Sequence, residues 1–133
     1  MDTLFAFLLL LLSPNDVQVC MSTVFGHTGD KHAGGNTILL KRPVEPGDMG
    51  IAHRTLPMGS TVAVQNTKTG MIAIGKVIDR GPYGAILDGS WLIKRKPTDP
   101  GKWRGCVDLT PDMAKAIGHK GFDTVRVFGR KRK

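Results

Sequence analysis

Two alternating apolar runs joined by a short polar turn constrain the fold more than any other feature of the chain. The runs are Thr61 to Asn66 and Met71 to Asp79, and the link Thr67-Lys68-Thr69-Gly70 is polar and ends in glycine. Alternation with period two predicts half-buried strands, and a short turn ending in glycine predicts a hairpin. The outer ends of a hairpin meet, because antiparallel strands run back past each other. We therefore expect His53 and Asp79 to lie close together as a candidate acid/base pair.

The rest of the chain also favours short strands. Met21 to Phe25, Thr37 to Leu40 and Thr124 to Phe128 each carry β-branched or aromatic residues and are predicted strands. Thr110-Pro111-Asp112 predicts the start of a helix, which Gly118 ends. Many short strands with one short helix indicate a mainly β protein built as a small barrel. Gly84 to Gly105 is predicted to be a long loop.

The N-terminus resembles a leader sequence. Residues Leu4 to Leu12 are almost purely apolar, but a bilayer span needs about 20 such residues, so no stable membrane span is predicted. We expect residues 1–20 to be a signal peptide, which predicts a secreted or periplasmic protein. A misassigned start or a short hydrophobic anchor are the alternatives. The domain would then cover 21–129, with 130–133 as a basic disordered tail.

The net charge and the cysteine content limit the kinds of partner that the chain is expected to have. The chain has 133 residues, enough for one domain, and a formal net charge of +8, which favours an anionic partner such as nucleic acid, anionic lipid or a cell-envelope polymer. Cys20 and Cys106 allow one disulfide only if Cys20 survives processing. His27, Asp30 and His32 share a glycine-rich loop without a recurring ligand spacing, so we expect no metal and no cofactor.

Three motifs in a fixed order resemble a known family. They are Gly50-Ile-Ala-His-Arg-Thr-Leu-Pro-Met-Gly59, Val77-Ile-Asp-Arg-Gly-Pro-Tyr83, and Val107-Asp-Leu-Thr110 before an alanine-rich helix. The chain resembles the RlpA-like double-psi β-barrel family, which includes septal-ring lytic transglycosylases and is related in fold to expansins and barwin-like proteins. The resemblance is good over 50–128 and poor over 22–49. It implies a six-stranded double-psi β-barrel with one short helix, and peptidoglycan glycan strands as the partner.

The resemblance also implies roles for single residues. Asp79 matches the carboxyl assigned to catalysis, His53 matches the histidine of its motif, and Asp108 matches an aspartate that lines the site. The family's Thr-Ala-x-Gly-Glu segment, about a dozen residues before the histidine, is replaced here by Leu40-Lys41-Arg42-Pro43-Val44-Glu45. Glu45 is a candidate substitute for the missing glutamate, as is Asp48, but neither has the matching spacing.

Further residues suit a polymeric sugar substrate. We expect Arg54 to hold a carboxylate of the peptide stem or of muramic acid, and Arg80 to line the site beside Asp79. Aromatic faces pack well on apolar sugar faces, so Tyr83, Trp91 and Trp103 are a candidate platform for sugar rings.

The sequence therefore predicts a monomeric, secreted lytic transglycosylase that uses Asp79 as general acid/base. One carboxyl suffices for this reaction, since a hydroxyl of the substrate attacks in place of water. The alternative is a non-catalytic, expansin-like module that binds cell-wall glycans. A nucleic-acid binder is suggested by charge alone and is not expected, because no zinc finger, helix-turn-helix or RNA-binding motif is present.

Overall fold

The structure, a computed structural model, describes residues 16–26, 36–80, 83–87, 90–94, 102–103 and 105–130, with side chains in 17–26, 36–80 and 105–130. Within these ranges the chain forms nine strands and one helix. The strands are β1 Asp16–Val24, β2 Gly50–His53, β3 Thr61–Asn66, β4 Ile72–Asp79, β5 Tyr83–Leu87, β6 Ser90–Lys94, β7 Lys102–Trp103, β8 Gly105–Leu109 and β9 Phe122–Gly129, and the helix is α1 Pro111–Ala116.

Six of the strands close into a barrel in the order β1-β8-β2-β4-β3-β9. The pairs β1–β8 and β2–β4 are parallel, and the other four are antiparallel. Two parallel pairs in a small closed barrel are consistent with the double-psi topology. The mainly β, six-stranded barrel with one short helix is thus confirmed, as is the hairpin of β3 and β4.

The barrel interior is filled by alternate residues of its strands. Val62, Val64, Val77, Leu109 and Val127 are all at most 1% exposed and belong to one apolar cluster. This period-two pattern is the one that predicted the strands. Helix α1 adds its own apolar side chains to the same cluster: Met113, Ala114 and Ile117.

Helix α1 begins and ends as the sequence predicts. The Thr110 hydroxyl accepts a hydrogen bond from the backbone N–H of Met113 at 3.4 Å, which makes it the N-cap. The same hydroxyl donates to the carbonyl of Asp48 at 2.7 Å and so ties the helix start to the segment before β2. Gly118 has φ +67°, a left-handed conformation that ends a helix at little cost for glycine.

Two predicted elements are wrong. Thr37 to Leu40 is a turn and not a strand, because the Thr37 hydroxyl accepts from the N–H of Leu40 and its carbonyl accepts from the N–H of Lys41. The predicted loop from Gly84 to Gly105 contains β5, β6 and β7, which form a separate three-stranded antiparallel sheet.

Strand β1 begins inside the segment that was predicted to be a leader. Residues 16–20 pair with β9 from Asp16↔Gly129 to Cys20↔Val125, so they form part of the barrel. Removal of a leader upstream of Asp16 stays a prediction. Within the described ranges, the structure contains no helix with the length and apolar character that a bilayer span requires.

Cys20 of β1 and Cys106 of β8 form a disulfide, with their Cα atoms 5.8 Å apart. The sequence left this pairing open. The bond links two neighbouring parallel strands and joins residues 86 positions apart in the chain.

A buried polar cluster holds β1 against the turn before β9. The Ser22 hydroxyl donates to the carbonyl of Asp123 at 2.7 Å and lies 2.7 Å from His119 Nε2. His119 Nδ1 accepts the N–H of Gly121, so Nε2 carries the proton and donates to Ser22. The Asp123 carboxylate accepts the N–H of Lys120 at 2.6 Å and pairs with Lys68 at 3.3 Å.

We expect this cluster to make the protein less stable in acid. The N–H of Lys120 and the nearby Lys68 hold the pKa of Asp123 below its usual 3.8, and burial holds the pKa of His119 below its usual 6.5. In both cases the unfolded chain binds the proton more readily, so the free energy of unfolding falls as pH drops, first below about 6.5 and again below about 4.

Urea denaturation across this pH range measures the effect. Asp123→Asn should lower the free energy of unfolding at pH 7 by about 1–3 kcal/mol, because it removes a buried, charge-assisted hydrogen bond. It should also reduce the loss of stability below about pH 4, to which Asp48 contributes as well. The same slope below pH 4 in the variant and the wild type would contradict this assignment.

Candidate active site

The candidate site lies where the parallel strands β2 and β4 end together. Ala52 of β2 pairs with Asp79, the last residue of β4, and on its other side pairs with Asp108 of β8. The two aspartates therefore lie at one level of the barrel, two strand spacings or roughly 10 Å apart along the backbone. His53 follows Ala52 and ends β2. Direct parallel pairing of β2 with β4 thus brings His53 and Asp79 to the same end of the barrel, a pairing that the hairpin argument did not include.

Asp79 occupies a half-buried position at this end of the barrel. Within the described part of the chain, its carboxylate makes no hydrogen bond or ion pair. The pairing of β2 with β4 also shifts register here. Ile51 pairs with Val77 and Ala52 pairs with Asp79, so Ile78 is one extra residue in β4. Bulges of this kind re-aim the side chain that follows them.

His53 is buried, at 5% exposure, and both ring nitrogens have partners. Nδ1 lies 3.2 Å from the N–H of Thr55 and 3.1 Å from that of Leu56, and it accepts from both. Nε2 lies 2.9 Å from Oε1 of Gln18. Because Nδ1 is an acceptor, the proton is on Nε2 and is donated to Gln18. This set of contacts suits a neutral imidazole.

Arg80 supports the turn that follows His53. Its Nη1 donates to the carbonyl of His53 at 2.9 Å and to the carbonyl of Leu56. The turn 53–56 is therefore fixed in two ways. Its backbone N–H groups donate to the His53 ring, and its carbonyls accept from Arg80. The contacts of Arg80 are those of a residue that fixes this turn beside Asp79.

Asp108 accepts a hydrogen bond from the hydroxyl of Thr23, the residue with which it pairs on β1. Its half-buried carboxylate is thereby oriented by a second strand. Arg54, next to His53, is exposed.

The segment before β2 lies against the site strand, since the N–H of Leu39 donates to the carbonyl of Ile78 at 3.0 Å. In it, Arg42 binds both carboxylate oxygens of Asp48, at 2.8 and 3.0 Å. The hydrogen bonds from Arg42 and from the N–H of Glu45 hold the pKa of Asp48 below its usual value. Because both carboxylate oxygens of Asp48 bind Arg42, Asp48 is a poor substitute for the family glutamate.

Glu45 lies 3.4 Å from Arg42, and its side chain is 62% exposed. Lys41 has φ +58°, a conformation that favours glycine, and it stands a dozen residues before His53. Lys41 lies in the segment that replaces the Thr-Ala-x-Gly-Glu motif implied by the family resemblance. In this segment Arg42 binds Asp48, and Glu45 is largely exposed.

The predicted aromatic platform lies in the second sheet. Tyr83 begins β5, Trp91 is in β6 and Trp103 ends β7. Trp91 pairs with Ile86 and Trp103 with Ala85. Their side chains lie outside the described residues, so the platform stays a prediction.

Sequence reasoning missed Gln18 and Thr23, which contact His53 and Asp108. Both lie on β1, and nothing in the local sequence links that strand to the motifs at 53 and 108. Gln18 also lines a cavity of about 420 Å³ beside the disulfide. The other lining residues are Val19, Cys20, Met21, Gly105, Cys106 and Thr124.

Three curated proteins are similar to part of the chain. A probable endolytic peptidoglycan transglycosylase RlpA from Aquifex aeolicus is 37% identical over 93 residues, which is 66% of this chain and 41% of that protein. A protein of the same name from Nostoc sp. is 40% identical over 62 residues, 45% of this chain and 16% of the relative. The endolytic peptidoglycan transglycosylase RlpA of Yersinia pestis is 34% identical over 76 residues, 56% of this chain and 20% of the relative.

The chain spans less than half the length of each of these relatives. No protein-family model matches it. The three matches agree in name, and the motifs at His53, Asp79 and Asp108 lie together on the closed six-stranded barrel. The chain is therefore similar, in its motifs and in its barrel, to the RlpA-like double-psi β-barrel family.

Proposed function

We propose that this protein cleaves the glycan strands of peptidoglycan by lytic transglycosylation, with Asp79 as general acid/base. The observation that carries the proposal is the position of Asp79: a half-buried carboxylate without a partner in the described residues, beside His53, at the shared end of β2 and β4. The names of the three relatives support the same substrate class.

The reaction needs one acid. The Asp79 carboxylic acid protonates the glycosidic oxygen as the bond to the anomeric carbon breaks. The C6 hydroxyl of the muramic sugar then bonds to that carbon and returns its proton to the Asp79 carboxylate. The products are a free hydroxyl and a 1,6-anhydro sugar, and no water is consumed.

The residues around Asp79 have supporting roles. His53 and Arg80 hold the turn 53–56 rigid, so that substrate meets a fixed wall beside the acid. Arg54 is exposed next to this wall and suits a carboxylate on the glycan or its peptide stem. Asp108 lines the same level of the barrel.

The location that we propose is outside the cytoplasm, as a secreted or periplasmic protein. The apolar run at 4–12 resembles a signal peptide. The Cys20–Cys106 disulfide suits an oxidising compartment.

One observation favours a second candidate, a non-catalytic module that binds cell-wall glycans in the manner of expansins. Asp48, a candidate substitute for the family glutamate, is bound to Arg42 rather than left for substrate. A site that lacks one acid can keep its affinity for glycans and lose turnover.

A turnover assay separates the two candidates. The protein is incubated with peptide-free glycan strands, and 1,6-anhydro products are measured by mass spectrometry. Cleavage supports the proposed enzyme. Pelleting with intact sacculi and no anhydro product would favour the binding module.

A further inference from the structure

Gln18 contacts the histidine of the candidate site from a distant strand. Its Oε1 lies 2.9 Å from His53 Nε2, although β1 and β2 are not neighbours in the barrel and β8 runs between them. The contact therefore spans a strand, and it joins residues 35 positions apart. No motif assigned to the site includes this glutamine.

Contacts on both nitrogens of the His53 ring indicate which of them carries the proton. Two backbone N–H groups, of Thr55 and Leu56, point at Nδ1, which must therefore keep its lone pair. The ring proton is then on Nε2, and Gln18 Oε1 is its acceptor. His53 is only 5% exposed, and Gln18 satisfies the hydrogen-bonding requirement of this buried ring N–H.

The position of Gln18 is itself fixed by the fold. Gln18 pairs with Val127 of β9, and two residues further on Cys20 is bonded to Cys106 of β8. The strand that carries Gln18 is thus attached on one side by hydrogen bonds and on the other by a covalent link. Its carboxamide is placed as an acceptor before any substrate arrives, which is how positioning groups limit reorganisation.

We propose that Gln18 is a positioning residue of the glycan-cleaving site, which holds His53 as a neutral imidazole with its proton on Nε2. The role in turnover rests on the proposed function. Gln18 touches His53 and acts through it. The ring in turn fixes the turn 53–56 beside Asp79.

The test compares Gln18→Leu, which removes the acceptor, with Gln18→Glu, which keeps an oxygen at the same reach. Gln65→Leu is the matched control, because Gln65 lies on β3 and its amide contacts Gly70 and Arg126 instead. Ring nitrogens of ¹⁵N-labelled protein are followed by long-range ¹⁵N–¹H correlation, with the His53 signals assigned from a His53→Asn variant. Turnover on peptide-free glycan strands is measured in parallel.

We expect wild type, Gln18→Glu and Gln65→Leu to show a single His53 tautomer with the proton on Nε2. Gln18→Leu should lose the protected Nε2–H signal, lower kcat about tenfold or more and leave KM within about twofold. Gln18→Glu should restore most of kcat, an outcome that a purely structural role would not predict.

The proposal is overturned if wild type carries the proton on Nδ1, or if Gln18→Leu keeps the protected Nε2–H signal. Equal kcat for Gln18→Leu and wild type overturns the role in turnover. Failure of the proposed function is a different result: wild type makes no anhydro product, while the His53 spectra still respond to Gln18 as expected.

Discussion

Asp79→Asn is expected to lower the rate of anhydro-product formation by about a thousandfold, because proton transfer by a positioned acid contributes about 10²- to 10⁴-fold to such rates. An amide of the same shape can neither protonate the glycosidic oxygen nor recover the proton from the attacking hydroxyl. Since the Asp79 carboxylate has no partner in the described part of the chain, the substitution leaves no broken contact there and should preserve the fold. Glycan pelleting should be unchanged.

The matched control for this experiment is Asp112→Asn. Asp112 is an aspartate of the first turn of α1, and its carboxylate accepts the N–H of Gly47, in the segment before β2 and not at the end of β2 that carries His53. It should keep full turnover with a small loss of stability. Product release that survives Asp79→Asn would remove Asp79 from the mechanism and direct attention to Asp108, at the same level of the barrel.

The second large effect concerns stability. Replacing both cysteines by alanine is expected to lower the free energy of unfolding by about 2–4 kcal/mol, as the loss of a cross-link over a long loop typically does. The bond joins residues 86 positions apart and closes the β1–β8 pair, so the unfolded chain gains much freedom without it. Urea denaturation monitored by tryptophan fluorescence measures the change.

Reduction supplies the control for the cysteine experiment. Wild type treated with dithiothreitol should unfold at the same urea concentration as the double variant, and the variant itself should not respond to the reductant. If the oxidised wild type and the double variant share one midpoint, the disulfide does not stabilise the barrel.

The sequence predicted those parts of the fold that local patterns determine. Strand β3 begins and ends at the predicted residues, and β4 differs by one residue, because alternation and a glycine-ended turn are short-range signals. The second sheet was missed although Asp88-Gly89, between two apolar runs, is a strong hairpin signal. β1 was missed in part because its first residues adjoin an apolar run that dominates the local composition.

The sequence predicted which residues belong to the candidate site, but it did not predict how the strands that carry them pair. Motifs named His53, Asp79 and Asp108, but the parallel pairing that joins their strands is long-range and has no local signature. Arg80 was expected to line the site beside Asp79, and the sequence did not indicate that its guanidinium donates to two carbonyls of the turn after His53. The partner of a side chain as long as arginine or glutamine depends on the whole barrel, as the Gln18–His53 contact also does.

The order of the barrel strands has a consequence for how the chain is made. Among the strands that the structure describes, β1 pairs with β8 and β9, which lie more than 80 residues further along the chain. When the chain is synthesised or translocated from its N-terminus, β1 therefore stays unpaired until β8 and β9 have been released. The barrel therefore closes late, and the nascent polypeptide remains open until most of the chain has been synthesised.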